Sequence, residues 1–205
     1  MAKFETQPLV SSAFDRTQLP NGLRILTSTF RHTNAVSIIF LFGAGSRYET
    51  PELAGASHLF EHMLFKGTPT RPTPKEISEV VEGVGGTLNA FTDREVTGYW
   101  CRVAQPNYRD SIDLLSDMTL NSFFKDEDIA KEKQVVYEEI RASNDSPGAR
   151  VSMLLDELMW PNQPLGRDIA GSVESVGAIS REQMLEYLKT QYVGSNTVVA
   201  VAGNI

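Results

Sequence analysis

Two of the chain's three histidines stand four residues apart in Ser57-His58-Leu59-Phe60-Glu61-His62, and this spacing restricts the fold more than any other feature. Four residues is close to one helical turn, so a helix here sends both imidazoles out of one face, one turn apart. The neighbourhood reads as a helix. Leu59, Phe60, Met63 and Leu64 recur at helical spacing, Thr50 and Pro51 predict an N-cap and first-turn proline, and Gly67 predicts a stop. His-x-x-Glu-His in a helix predicts a metal site. The remaining histidine, His32 in Arg31-His32-Thr33-Asn34, reads as solvated.

Two imidazoles leave a catalytic zinc one protein ligand short, so the fold must bring a third from elsewhere. The candidates are Cys101 and a carboxylate of the helical stretch "AKEKQVVYEEIRAS", which offers Glu132, Glu138 and Glu139. Helical spacing puts Glu139 with Val135, Val136 and Ile140 on an apolar stripe, and Glu132 two turns earlier on the same face. Glu138 instead keeps company with Lys131, Gln134 and Arg141. A carboxylate on a buried stripe needs a partner, because an unpaired buried charge costs several kcal/mol, and a metal ion would be that partner.

Elsewhere strand and helix patterns alternate irregularly. "FDRTQLPNGLRILTSTF" alternates polar and apolar residues around Pro20-Asn21-Gly22 and predicts a hairpin, while "AVSIIFLFGAG" predicts a buried strand. Thr73-Pro74-Lys75-Glu76 has the spacing of a capping box and opens a helix with Ile77, Val80, Val81 and Val84 as its inner stripe, ended by glycines 83, 85 and 86. "GTLNAFT" and "VTGYWCRVA" predict two strands joined by "DRE". Helical spacing returns in "YRDSIDLLSDMTLNSFF" and "DEDIAKEKQVVYEEIRAS", a helix restarts at Ser146-Pro147 and runs through Met159, and Ser180 with Gln183 caps another. "NTVVAVAG" predicts a last strand. Without strict βαβ alternation, the expected class is α+β: helices packed against a largely antiparallel mixed sheet.

A chain of 205 residues, 41% of them hydrophobic, can bury one sizeable core, and the first expectation is one domain over 1–205. Nineteen basic residues stand against 26 acidic ones, a net charge of −7 with no basic cluster, which argues against a nucleic-acid partner. The single cysteine, Cys101, cannot form an internal disulfide and reads as a small buried hydrophobe in a strand. "MAKFETQPLV" has no apolar signal region, and no stretch reaches the length of a membrane span, so a soluble cytoplasmic protein is the expectation.

"AGASHLFEHMLFKGTPTR" resembles the metal-binding helix of the pitrilysin family of zinc peptidases, the inverzincins, closest to the bacterial and mitochondrial processing peptidases. Further likeness runs through "GGTLNAFTDRE", "VVYEEIRAS" and "PLGRDIAGSVESVGAISREQMLEYL", so that it covers about 15–205. The family pattern runs from the second histidine through 76 intervening residues to a glutamate ligand, which here falls on Glu139. The resemblance therefore implies one zinc per chain held by His58, His62 and Glu139, with Glu132 matching a second glutamate that assists catalysis. It also implies that Asn89, Ala90 and Phe91 lie on an exposed strand edge beside the zinc, where an extended peptide can add as a further strand. Family members usually carry a second, similar half that closes over the zinc. The expected partners are thus a peptide or unfolded polypeptide substrate and a second homologous half-domain.

Glu61 sits on the turn between the two imidazoles and is the natural general base, taking a proton from water and returning it to the leaving amine. The expected activity is that of a zinc metalloendopeptidase. Two other readings differ at named residues. S-ribosylhomocysteine lyase carries a His-x-x-Glu-His helix but uses a cysteine, which would bring Cys101 to the metal. A non-catalytic scaffold subunit of the same family would need no ionisable Glu61 beside two imidazoles.

Overall fold

The computed structural model describes residues 14–205, and the stretch "MAKFETQPLV" lies outside them. Pro20-Asn21-Gly22 makes the expected turn: Gly22 adopts φ 87° and its N–H donates to the Leu19 carbonyl at 2.9 Å. The turn joins β1 (Asp15–Gln18) to β2 (Arg24–Thr29) in antiparallel register. Next comes β3 (Ala35–Phe42), whose even-numbered residues Val36, Ile38, Phe40 and Phe42 are buried. After two short 3-10 turns follow α1 (Ala56–Met63), α2 (Pro74–Glu82), β4 (Thr87–Thr92), β5 (Thr97–Ala104), α3 (Tyr108–Asn121) and α4 (Asp126–Asp145). The chain continues through α5 (Pro147–Met159), α6 (Val173–Ala178), α7 (Arg181–Gln191) and β6 (Thr197–Gly203).

The six strands form one sheet in the order β1-β2-β6-β3-β5-β4. Among the described residues only β2 and β6 run parallel; the other pairs are antiparallel. This is the mixed, largely antiparallel sheet expected of an α+β chain. Leu59, Phe60 and Met63 of α1, Ile77 and Val81 of α2, and Leu114, Leu115 and Met118 of α3 join the buried residues of β3 and β5 in one core. Ile129, Val136 and Ile140 of α4 belong to it too, as do Val176 of α6, Met184 and Tyr187 of α7 and Val199 and Val201 of β6. Each such side chain contributes roughly 1.5–3 kcal/mol through burial, so α1 and α4 are anchored on their apolar faces and have their other faces to spare. Among the described residues no helix is long and apolar enough to cross a membrane.

Most expected elements form, with local corrections. Thr50 and Pro51 do not open the histidine helix: Pro51–Leu53 is a separate 3-10 turn, and α1 starts after Gly55. The interruption has a steric cause. Gly55 takes φ 91°, and a Cβ there would sit 2.5 Å from the Ala170 carbonyl oxygen, so the chain breaks at a glycine that cannot be replaced cheaply. Val84 falls beyond the end of α2 and is exposed, whereas Ile77 and Val81 are buried as expected. The box at Thr73 and Glu76 caps α2 with both reciprocal hydrogen bonds. Helix α6 was not anticipated; Ser172 and Ser175 cap it, a pairing without the usual Glu or Gln.

Candidate metal centre

A glycine N-cap brings no side chain to the start of α1, yet two amides there, those of Gly55 and Ser57, find a side-chain partner. Glu49, buried at 4% exposure, reaches in from the preceding turn: Oε2 accepts the Gly55 N–H at 2.8 Å and Oε1 the Ser57 N–H at 2.6 Å. Burial pushes the Glu49 carboxyl up, and those hydrogen bonds work against it. Ser57 Oγ also shares a 2.7 Å hydrogen bond with the Tyr187 hydroxyl of α7. With Leu59, Phe60 and Met63 turned into the core, His58, Glu61 and His62 occupy the face that remains.

Helix α4 crosses that face. His58 Nε2 lies 3.5 Å and His62 Nε2 3.7 Å from Glu139 Oε2, and the ligand atoms of the three residues all fall within 4.8 Å of one another. Four ligands at about 2.1 Å around zinc stand about 3.4 Å apart, so the two nitrogen–oxygen separations are those a tetrahedral ion needs. The donor chemistry fits as well, because two imidazoles and one carboxylate form a set that zinc accepts. Burial, followed by the neighbouring His62, pushes the His58 pKa down, which favours the neutral imidazole with a lone pair to give. His62 is oriented from behind: its Nδ1 lies 3.1 Å from Glu132 Oε2, while Glu132 Oε1 pairs with Lys66 Nζ at 2.6 Å. A carboxylate paired with a lysine accepts, so Nδ1 donates and Nε2 faces the cluster.

The structure corrects the stripe from which the acidic candidates came. The buried line of α4 is Ile129, Glu132, Val136 and Ile140; Val135 is exposed, and the Glu139 side chain is 46% exposed at the margin of that line. The buried carboxylate is Glu132, and its partners are Lys66 and His62. Glu139 is free to face the imidazoles because it lies off the packed seam. Glu138 turns to Arg141, with which it forms an ion pair.

Glu61 accepts a hydrogen bond from Thr92 Oγ1 at 2.5 Å through Oε2. Burial raises its pKa, against the opposing effect of that bond. Thr92 ends β4, which among the described residues pairs only with β5 and is one edge of the sheet. Asn89, Ala90 and Phe91 lie on this edge. Ala90 packs against the core, whereas the Phe91 ring covers Gly98, where a Cβ would come within 2.6 Å of it. The Ala90 N–H is taken by the neighbouring Asn89 Oδ1 at 2.8 Å. Cys101 is fully buried in the core; burial raises its thiol to about 11 despite a hydrogen bond with Ser111, and it is not part of the His58, His62 and Glu139 cluster. Glu49, Lys66 and Thr92 escaped the sequence reading. Lys66, four residues beyond His62, and Thr92, at the end of "NAFT", had positions that could have suggested them; Glu49 had none.

The chain belongs to the insulinase family, peptidase family M16, whose family model matches residues 24–173, in agreement with the resemblance read from the sequence. It is 39% identical over 185 residues to the uncharacterized zinc protease YmxG of Bacillus subtilis, covering 90% of this chain and 45% of that one. It is 38% identical over 192 residues to a probable mitochondrial-processing peptidase subunit beta of Arabidopsis thaliana, covering 92% and 35%. The putative M16-like peptidase from Alicyclobacillus acidocaldarius aligns with a TM-score of 0.85 at 28% identity, over 94% of this chain and 46% of that chain. The chain thus spans about half the length, or less, of these relatives.

Proposed function

We propose that this chain is the metal-bearing first half of a zinc endopeptidase that hydrolyses extended peptides and works with a second homologous half. The observation that carries this reading is the convergence of His58 Nε2, His62 Nε2 and the Glu139 carboxylate beside Glu61. His58, His62 and Glu139 would hold the zinc, which when bound would supply Lewis acidity towards a peptide carbonyl and water. Glu61 then takes a proton from the attacking water and returns it to the departing amine. Thr92 fixes Oε2, so Oε1 is the oxygen that moves the proton.

The edge of β4 holds the substrate main chain. A peptide carbonyl entering as a further strand displaces Asn89 Oδ1 from the Ala90 N–H, exchanging one hydrogen bond for another. The net gain is small, because the flexible peptide must also be ordered. A second half would supply the missing clamp and exclude bulk water. Relatives about twice as long as this chain support that division of labour.

The test is a fluorogenic assay on an unstructured peptide, with zinc content measured in parallel, for the chain alone and with a second half added. The chain alone should bind one zinc and cleave poorly, and the partner should raise the rate by orders of magnitude. Glu61→Gln should keep its zinc and lose about two to four orders of magnitude of the reconstituted rate. Near-normal turnover by Glu61→Gln, or stoichiometric zinc in a His58→Ala, His62→Ala double variant, would sink the proposal.

A further inference from the structure

Lys66 lies outside the reaction as described, yet it is tied to the centre through two close contacts. Helix α1 ends at Met63, but the chain keeps turning, with the Lys66 N–H donating to the Met63 carbonyl at 3.1 Å. That extra turn carries the lysine to the side of His62 that faces away from Glu139. Its Nζ meets Glu132 Oε1 at 2.6 Å, and the other oxygen of the same carboxylate meets His62 Nδ1 at 3.1 Å. The Glu132 side chain is 10% exposed, so water offers it little alternative, and each of its oxygens has a cationic or N–H partner.

We propose that Lys66 is a positioning residue for the metal centre: it holds Glu132 with Oε2 aimed at His62 Nδ1 and thereby fixes the ring orientation and tautomer that present Nε2. This rests on the zinc reading above. The physical logic is that of an outer partner of a metal-bound histidine, one link further out. An imidazole is a precise ligand only if its second nitrogen is held, and a glutamate holds it only if the glutamate is itself held. Lysine suits the second link because its charge offsets a nearly buried carboxylate. A plain tether between α1 and α4 would make a different statement. Loss of a tether lowers stability and leaves the ring and the zinc affinity as they were, whereas loss of a positioning residue changes both.

The 205-residue chain serves for the test. Zinc affinity is measured by competition with a chromophoric chelator for wild type, Lys66→Met, Lys66→Arg, Glu132→Gln and the Lys66→Met, Glu132→Gln double variant, with folding checked by circular dichroism. Nitrogen-15 NMR of the metal-free protein reads the His62 tautomer directly. Lys66→Met should weaken zinc binding about ten- to a hundredfold and give a mixed tautomer, and Lys66→Arg should restore most of both. The double variant should bind zinc no more weakly than Glu132→Gln alone, because both changes break one chain of contacts. Zinc affinity for Lys66→Met within about threefold of wild type, losses that multiply in the double variant, or an unchanged His62 spectrum would each overturn the proposal. If Lys66→Met does not fold, Lys66→Gln carries the same expectations. The NMR measurement needs no metal, so a wild-type chain that binds no zinc would overturn the zinc reading, while Lys66 would still be judged from the spectrum.

Discussion

Replacing Asp117 by asparagine should lower stability by an amount that disappears in acid. The turn that leaves α1 is fastened to α3 at this residue. Thr68 Oγ1 donates to Oδ2 at 2.6 Å, Thr70 Oγ1 and the Arg71 guanidinium reach the same oxygen, and Asn121 Nδ2 donates to Oδ1 at 2.9 Å. Burial opposes ionisation here, but the hydrogen bonds outweigh it and hold the carboxyl at about 2, below its ordinary 3.8. At roughly 1.4 kcal/mol per pH unit, that difference is worth about 2 kcal/mol. The sign follows from the lowered pKa. The contribution is complete above about pH 4, where the unfolded carboxyl is ionised too, and it is lost as pH falls through 2. For a chain of this size about 2 kcal/mol moves the melting temperature by roughly 4–8 °C. Thermal and urea melts of wild type and Asp117→Asn from pH 7 to pH 3 should therefore show a gap that shrinks to about half by pH 3. A gap that stays constant over that range would refute the electrostatic account and leave only a packing defect.

Thr92→Val should keep zinc and lower the reconstituted peptidase rate by about tenfold, since the hydrogen bond that holds Glu61 is worth about 1–1.5 kcal/mol; an unchanged rate in the same fluorogenic assay would release Thr92 from that role. Zinc at a hundred times its dissociation constant should stabilise the chain by about 2.7 kcal/mol, a gain that EDTA reverses and His62→Ala abolishes in thermal melts. Cys101, buried and with its thiol raised to about 11, should resist iodoacetamide in the native chain and label rapidly in urea; rapid native labelling by mass spectrometry would show that β5 opens.

Local signals in the sequence were read well where one short segment contains the whole interaction. The Thr73 box, the Ser180 box, the Asn21-Gly22 turn and the Ser146-Pro147 restart are all of this kind, and each is present. Errors arose where a distant residue decides. Gly55 breaks the chain before α1 because the Ala170 carbonyl lies against it, which nothing near Thr50 reveals. The α4 stripe was drawn with the correct period but was centred too close to Glu139, since only packing against the core fixes which residues form the seam. Glu49 could not be found at all. It sits in a loop, and its role depends on amides that come six and eight residues later.

The parallel pairing of β2 with β6 has a consequence for how the molecule must form. Among the described residues β6 comes latest in the sequence yet stands not at an edge but third in a row of six, and there the β1–β2 hairpin meets the rest of the sheet only through residues 197–203. During synthesis β3, β4 and β5 can pair as soon as they emerge, whereas the hairpin must wait for some 170 further residues before its free edge finds a partner. Closing contacts that far apart in sequence is slow, and until it happens β2 and β3 each offer an unpaired edge to other chains. Folding of this half should therefore show a late step that docks the hairpin as β6 inserts, and crowded, slowly completed chains should be most prone to mispair at that gap.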